Sequence, residues 1–295
     1  MSELLFSLPP TQPGGVKPIW KNGFFILGEQ RTSVLQYSAT SAGWNDELTF
    51  FHEETVGEQH FIDLASRQHA ISQLNQFISV ENPTIMEVGC SSGYLLKKIS
   101  VEIPNALVIG SDILYAPLIK LAKKHPNIPI LRFDLLECPL PDNSLDAVVL
   151  INVLEHIEND NLALKQIHRI LKSGGVAIIE VPANPKLYDF YDEALLHFRR
   201  YRLVDLVSQL EQLNFKIVKK SHLGFFIYPM FWFVKQINIR LSHQSKEKKK
   251  HLVEKNIRVT SGNKLLNWLI QLELSLGKYI QFPKGIRCLI TCIKK

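Results

Sequence analysis

The sequence predicts an α/β protein in which a mostly parallel sheet is covered by helices on both faces. Two observations carry this prediction. Residues 84–100 read as a short buried strand, a turn of small residues and the start of a helix. From there to about residue 219, apolar strand-like segments alternate with segments of helical periodicity. Such alternation is typical of parallel sheets, whose strands are buried on both faces.

The elements of this alternation can be placed in order. Further strands are predicted at residues 106–110, 130–133, 145–151, 176–181 and 215–219. Helices are predicted at residues 117–124, 162–171 and 204–213. Pro126 ends the first of these helices and Pro182 ends the fifth strand, since proline disrupts both structures. A last strand is predicted at residues 286–293, after Pro283 and Gly285.

The two ends of this core carry additional segments. Residues 1–50 are loop-rich, with no firm element expected before Leu48, and helical character rises over residues 52–77. Residues 223–283 leave the sheet pattern. The predicted domains are therefore an N-terminal extension at 1–80, loop-rich and then helical, a core at 81–222 and 284–295, and an apolar and basic helical insertion at 223–283.

Composition bounds the class of protein. The chain has 295 residues, 46% apolar and 21% charged, with a net charge of +6, which permits an anionic partner without requiring one. Its four cysteines show neither a disulfide framework nor a paired metal-binding spacing, so no metal site is predicted. The first 15 residues lack a basic start and a long apolar stretch, and we expect a cytoplasmic protein.

The turn after the first core strand discriminates between two ligand classes. A dinucleotide site needs the pattern G-x-G-x-x-G, but those positions read Gly89, Ser91 and Tyr94. The turn instead has an acidic residue, Glu87, followed by small residues at two-residue steps that end at Gly93. A cationic ligand would suit an acidic residue beside such a turn. A strand, turn and helix with no ligand remains the alternative.

Acidic residues also follow the next two strands. Asp112 follows the second strand at about the interval found between a nucleotide loop and its ribose-binding acid. Asp134 follows the third strand and could accept the amino group of adenine, with Leu135 supplying a backbone N–H. Since ligands of parallel sheets bind beyond the carboxyl ends of the strands, we expect these residues at one site.

The run around the fourth strand is the most specific signal in the chain. Leu140-Pro141 precedes this strand, Asp146 lies at its start, and Leu154-Glu155-His156 follows it. Together with the glycine turn, this run resembles class I S-adenosylmethionine (SAM) methyltransferases of the type 11 and type 23 small-molecule and lipid branch, with Ser91 replacing the middle glycine. The resemblance covers about residues 84–222. It implies a Rossmann-like seven-stranded sheet with an antiparallel last strand, and SAM as cofactor.

Site residues follow from this resemblance. The SAM site would contain Glu87, Gly89, Cys90, Ser91, Gly93, Asp112, Ile113, Asp134, Leu135 and Asn152. His156 would be the candidate catalytic base for an acceptor hydroxyl, or else cap or pack its loop. The loop after the fifth strand would contact substrate through Tyr188, His197, Arg199 and Arg200. The alternative for the arginines is pairing with Asp189, Asp192 or Glu193. Glu58, His60, Phe61 and Arg67 resemble a helical lid, and packing on the core is the alternative there.

The insertion bears on the acceptor. Residues 223–234 are almost wholly apolar, and lysines and arginines follow, including a basic run at 246–250. Aromatic residues beside a basic cluster favour contact between residues 223–250 and an anionic membrane surface, peripheral at the inner face. The acceptor would then be a small or lipid-linked molecule, such as a quinone precursor, a polyprenyl-linked glycan or a fatty-acid-like group. A helical hairpin on the sheet or at a dimer face is the alternative.

Two rival functions stay open. A nucleic-acid methyltransferase is favoured by the basic run but disfavoured by Asn152-Val153-Leu154-Glu155, which is not the Asn/Asp-Pro-Pro-aromatic motif of amino-methylating DNA enzymes. A non-catalytic methyltransferase-like scaffold is favoured by Ser91, because serine adopts a positive φ less readily than glycine. The intact Gly93, Asp112 and Asp134 argue against the scaffold.

Overall fold

The structure is a computed structural model that describes residues 4–38, 58, 60–241 and 264–295. The strands are β1 (Ile19–Lys21), β2 (Phe24–Leu27), β3 (Gln30–Thr32), β4 (Val34–Gln36), β5 (Thr84–Val88), β6 (Leu107–Asp112), β7 (Ile130–Arg132), β8 (Leu145–Ile151), β9 (Leu171–Pro182), β10 (Phe215–Leu223) and β11 (Arg287–Lys294). The helices are α1 (Phe61–Phe77), α2 (Tyr94–Glu102), α3 (Tyr115–Lys124), α4 (Asp160–Ile170), α5 (Phe190–Ala194), α6 (Leu203–Gln212), α7 (Tyr228–Arg240) and α8 (Lys264–Leu276).

Eight of the described strands form one sheet in the order β10-β11-β9-β8-β5-β6-β7-β4. Neighbouring strands from β9 to β4 are parallel. Strand β11 lies between β9 and β10 and is antiparallel to both. The predicted α/β sheet with an antiparallel last strand is thus confirmed, with β4 added at its edge.

Helices cover both faces of this sheet, as predicted. One apolar layer contains Leu74 of α1, Leu96 of α2 and Leu118 of α3. The opposite layer contains Ile167 of α4 and Leu210 of α6. All five side chains are fully buried. The central strands therefore lie buried between the two helical layers. Because these strands are parallel, their carboxyl ends lie at one edge of the sheet, which carries polar residues and which we call the polar edge.

The N-terminal region corrects one expectation. We expected no firm element before Leu48, but β1, β2 and β3 form a small antiparallel sheet and β4 pairs in parallel with β7. Asn22 and Gly23 both have positive φ at the turn between β1 and β2. An Asn-Gly pair between apolar residues is a strong hairpin signal. The strands are too short, at three or four residues, for alternation to reveal them.

The insertion packs on the rest of the chain. Leu266 and Ile270 of α8 lie in one apolar cluster with Phe61 of α1 and Ile227. The Glu273 carboxylate accepts hydrogen bonds from the backbone N–H groups of Gly224 (2.7 Å) and Phe226 (3.2 Å). Within the part of the chain that the structure describes, no helix combines the length and apolarity needed to cross a bilayer. The predicted basic run at 246–250 lies outside the described residues.

Candidate functional site

The strand order reverses at the polar edge of the sheet, between β5 and β8, and we call the region beyond these two strand ends the crevice. From β5 the chain continues through β6 and β7 on one side, whereas β8 and β9 pair on the other side. Ligands of open α/β sheets bind at such a switch point, beyond the carboxyl ends of the strands. The turns after β5 and β8 meet here, since a Cβ on Gly89 would lie 2.5 Å from Cγ2 of Val153.

The turn after β5 is held in a left-handed conformation. Gly89 and Gly93 have φ of 73°, and Ser91 has φ of 41°. The Gly89 and Cys90 N–H groups donate to the Ser111 carbonyl at 2.8 and 3.0 Å. The Ser91 N–H donates to Oδ2 of Asp112 at 2.9 Å. These bonds stabilise the turn although Ser91 stands where glycine would cost less.

Three carboxylates lie at the carboxyl ends of the adjacent strands β5, β6 and β7. Asp112 also accepts the Leu114 N–H at 3.0 Å, so both of its oxygens organise backbone around the crevice. Asp134 accepts the Leu136 N–H at 2.9 Å. Glu87 is nearly buried, and its Oε2 has no hydrogen-bond partner among the described residues. The structure therefore brings the predicted acidic residues together at one edge.

The environment of Glu87 favours a cationic ligand. Burial raises the pKa of Glu87 well above its ordinary value, and the neighbouring Asp112 raises it further, although a backbone N–H from Leu96 and the charge of Arg67 oppose the rise. A positive charge in the crevice would stabilise the carboxylate that burial disfavours. Arg67 belongs to α1 and stacks over the Tyr94 ring at 5.5 Å. The lid role of α1 stays a prediction.

The other predicted cofactor residues line the same edge. Cys90 is buried, and burial raises the pKa of its thiol. The Ile113 carbonyl accepts from Nε of Arg132 at 2.9 Å, and Leu135 is buried. Asn152 has φ of 54°, and its N–H donates to the Glu180 carbonyl at 2.9 Å. Asn152 therefore turns the chain sharply as it leaves β8.

The loop after β9 carries a buried charge network centred on Asp192. The Asp192 carboxylate accepts from Nε of Arg200 at 2.8 Å and from Nζ of Lys235 at 2.8 Å, and it lies 3.0 Å from Nδ1 of His197. Lys235 also donates to Asp189 at 2.7 Å. This network ties α7 to the loop. We expected Lys235 to belong to a basic membrane-facing cluster, but its ammonium points inward.

The predicted substrate residues occupy different positions around this network. The guanidinium of Arg200 is engaged by Asp192 and the Ala183 carbonyl, which matches the alternative weighed for it. Arg199 is one-third exposed and pairs with Asp160 at 2.9 Å. The Tyr188 hydroxyl donates to the His197 carbonyl at 2.7 Å. The roles of these residues toward a substrate stay predictions. Of the two arginines, Arg199 has the more accessible guanidinium.

His156 lies beside this loop. Its ring meets the His197 ring edge to face, with centroids 4.7 Å apart. The residue before it, Glu155, is fully buried, and burial raises the pKa of its carboxyl to about 8, with opposing contributions from nearby charges. Sequence reasoning did not single out Glu155 or the pairing of the two histidines, because no local spacing connects His197 to the turn after β8.

A second buried ion cluster joins α1 to the last strand. Arg287 of β11 donates to Asp63 and to Glu180, both at 2.7 Å, and Ser66 Oγ lies 2.5 Å from the same Glu180 oxygen. Sequence reasoning missed this cluster because its members lie far apart in the chain. It fixes α1 across the end of β9, on the same side as the crevice.

This cluster makes stability depend on acidic pH. Burial raises the pKa of Asp63, but Arg287 and His60 lower it more, so the pKa lies well below the ordinary value of 3.8. The contribution of Asp63 is therefore present above pH 3.8 and is lost as the pH falls through the folded-state pKa. We expect the free energy of urea unfolding to fall more steeply below about pH 4 in the wild type than in Asp63→Asn. The exposed Asp142→Asn variant should follow the wild type, and equal slopes for all three proteins would contradict this account.

Comparison with known proteins decides the class of the core. A family model described as a methyltransferase domain matches residues 86–179, from inside β5 to inside β9. A Mycolicibacterium smegmatis protein named as a probable S-adenosylmethionine-dependent methyltransferase is 30% identical over 135 residues, which cover 45% of this chain and 52% of that protein. Residues 86–179 are a methyltransferase domain of the class I SAM-dependent type. The chain thus spans about half the length of this relative.

Two further relatives of this methyltransferase domain have named acceptors. A demethylmenaquinone methyltransferase of Chlorobaculum tepidum is 29% identical over 151 residues, covering 49% of this chain and 61% of that protein. A tRNA N(3)-cytidine methyltransferase of Danio rerio is 24% identical over 277 residues, covering 80% of this chain and 73% of that protein. These acceptors belong to different chemical classes, so similarity leaves the acceptor open.

A solved structure supports the same fold for the methyltransferase domain. Phosphoethanolamine N-methyltransferase 2 of Haemonchus contortus, in complex with SAM, superposes with a TM-score of 0.55 at 15% identity, over 88% of this chain and 61% of that one. SAM fits the crevice by its chemistry. Its ammonium and sulfonium suit the unpartnered oxygen of Glu87, and its ribose hydroxyls suit a carboxylate at Asp112.

Proposed function

We propose that this protein transfers the methyl group of SAM to a small-molecule or lipid-linked acceptor. The observation that carries the proposal is the row of Glu87, Asp112 and Asp134 along adjacent strand ends, beside a left-handed glycine turn in a methyltransferase domain. No dinucleotide pattern competes for this turn.

The residues divide the work of the reaction. Glu87 would stabilise the positive charge of the cofactor, Asp112 its ribose and Asp134 its adenine. SAM supplies an activated methyl group, which an acceptor attacks in line with the departing sulfur. Holding both reactants in that geometry can supply much of the acceleration. His156 lies in the turn that begins at Asn152, after β8. It would receive a proton if the acceptor is a hydroxyl.

Exposed aromatic side chains support an acceptor carried by a membrane. Trp232 and Phe233 of α7 are 45% and 61% exposed, and Trp268 of α8 is 60% exposed. Helix α7 lies next to the loop after β9, since Lys235 of this helix binds Asp189. Aromatic residues at a protein surface are suited to the interfacial layer of a bilayer. The resemblance to a menaquinone-type enzyme agrees with a quinone precursor as acceptor.

Replacement of these aromatic residues tests membrane contact. We expect the wild type to co-sediment with vesicles of mixed neutral and anionic phospholipids, and Phe233→Ser/Trp268→Ser to lose most of this binding. The substitutions are preferable to deletion of residues 223–283, because Ile270 and Glu273 are packed into the fold. Val101→Ser on α2, 68% exposed, is the matched control. Unchanged co-sedimentation of the aromatic variant, or none by the wild type, would contradict membrane contact.

Transfer RNA is the second candidate acceptor. The observation that favours it is the alignment with the tRNA N(3)-cytidine methyltransferase over 80% of this chain, together with a net charge of +6. Phosphate contacts would make such binding weaken steeply with salt. Filter binding of tRNA at several salt concentrations therefore examines this alternative directly.

A transfer assay separates the two acceptors. The purified protein is incubated with methyl-labelled SAM and either a membrane lipid extract or total tRNA. Label in the organic phase supports the proposal, and label in tRNA supports the alternative. An Asp112→Ala variant serves as the background control. Absence of label from both, while SAM still binds, would contradict a lipid-linked acceptor and tRNA alike.

A further inference from the structure

Three potential metal ligands lie together beside the proposed acceptor region. Glu155, His156 and His197 each offer one ligand atom, and these atoms lie within 4.8 Å of one another. A transition-metal ion with bonds of about 2.0–2.2 Å keeps its ligand atoms roughly 3 to 4 Å apart, so small side-chain rotations would close the set. The sequence predicted no metal site because His197 comes from a different loop.

Glu155 is the member of this set whose surroundings most favour a bound cation. It is fully buried, and neither carboxylate oxygen has a hydrogen-bond partner among the described residues. The charges of Arg200 and Arg287 act on Glu155, but both arginines have carboxylate partners of their own. Burying a carboxyl group without a partner is costly, so such groups usually pair with a cation or bind a metal. A metal ion would supply the partner that the described protein does not.

His197 is already oriented as a metal ligand. Its Nδ1 lies 3.0 Å from Oδ1 of Asp192, which leaves Nε2 as its ligand atom. Metal-bound histidines commonly have such a carboxylate behind the ring. The charge of Asp192 does not act alone, because Asp189 and Asp192 face Arg200 and Lys235. The two anions and two cations balance, and this network does not repel an added cation.

Two hydrogen bonds hold the loop that carries His197 against the turn that carries Glu155 and His156. The Phe198 N–H donates to the Glu155 carbonyl at 2.8 Å. The Tyr201 hydroxyl donates to the Leu154 carbonyl at 3.1 Å. The loop that carries His197 is therefore bonded to the turn that carries Glu155 and His156. A set of ligands held by such contacts loses little conformational freedom on binding an ion.

We propose that Glu155, His156 and His197 bind a divalent transition-metal ion. Two imidazoles and one carboxylate suit Zn²⁺, Co²⁺ or a similar ion better than Mg²⁺ or Ca²⁺, which prefer oxygen ligands. Three protein ligands leave a position for an oxygen of another molecule. If the protein has the proposed function, this position would take a hydroxyl or phenol oxygen of the methyl acceptor. His156 would then be a ligand and not the base.

Titration with Co²⁺ tests the site without any assay of activity. The full-length protein is stripped with a chelator, and Co²⁺ is added while the visible absorption of the ion is recorded. We expect one saturable equivalent, displaced by Zn²⁺, and weakening of at least about 100-fold in Glu155→Gln and in His156→Asn. His125→Asn, at the end of α3, is the matched histidine control and should bind as the wild type does.

Two results would overturn the proposal. One is the absence of a saturable Co²⁺ spectrum in the wild type. The other is equal affinity in the wild type, Glu155→Gln and His156→Asn, which would indicate adventitious binding elsewhere. Circular dichroism melting of each variant confirms that it is folded. Calorimetric titration of SAM into the same samples keeps this test separate from the proposed function, since SAM binding requires none of the three ligands.

Discussion

Replacement of Lys235 by methionine is expected to lower the free energy of unfolding by about 3 to 5 kcal/mol. The Lys235 side chain is 4% exposed, and its ammonium lies 2.7 Å from Asp189 and 2.8 Å from Asp192. Without it, Asp192 keeps Arg200, but Asp189 loses its cation and remains buried. Breaking a buried pair leaves an uncompensated charge, which costs far more than the loss of an exposed pair. Urea unfolding at neutral pH measures the difference.

A compensating variant separates charge from packing. Asp189→Asn removes the charge but keeps an oxygen that can accept the Tyr191 N–H at the start of α5. We expect Lys235→Met/Asp189→Asn to recover a large part of the stability lost by Lys235→Met alone. Lys97→Met, at an exposed position of α2, is the control and should change stability little. Additive losses in the double variant would show that the ammonium acts through packing and not through charge.

Replacement of Asp112 by alanine is expected to weaken SAM binding by at least about 100-fold, because two hydrogen bonds donated by the ribose hydroxyls to a carboxylate contribute about 1.5–3 kcal/mol each. The same carboxylate holds the N–H groups of Ser91 and Leu114, so its loss also loosens the turn. Asp112→Asn keeps one acceptor oxygen, so its affinity for SAM should lie between those of the wild type and Asp112→Ala. Calorimetric titration measures all three proteins.

The matched control for this prediction is Asp142→Ala. Asp142 is an exposed aspartate that pairs with Arg169 and precedes β8, at the opposite edge of the sheet. It changes the net charge by the same amount but touches no residue of the crevice. Unchanged SAM affinity in Asp112→Ala, or an equal loss in Asp142→Ala, would show that Asp112 is not part of the site.

Much of the core was predictable because its signals are local. Strands such as β5 and β8 are mostly apolar, and Glu87 and Gly93 lie in one short segment around the turn after β5. The positions of Asp112 and Asp134 followed from a rule of parallel sheets, in which strand ends share one edge. Local chemistry and sheet geometry together therefore predicted the alternating core and the acidic row, whereas the antiparallel last strand was implied by the family resemblance.

The remaining features depend on contacts between distant segments. Arg287 reaches Asp63 and Glu180, and Lys235 reaches Asp192, across pairings that no spacing in the sequence encodes. From the sequence alone, Lys235 is expected at the surface, because the loop whose carboxylates pair with it lies more than 40 residues earlier in the chain. The same holds for His197, which the sequence assigned to substrate and the fold places against His156.

Calorimetric titration of SAM and S-adenosylhomocysteine into the wild-type protein tests the central claim most directly. We predict saturable one-to-one binding of both molecules in the micromolar range, since the acidic row and the left-handed turn lie at neighbouring strand ends. Binding of neither molecule to a folded sample would contradict the claim, and would identify the chain as a methyltransferase-like scaffold whose crevice serves another ligand.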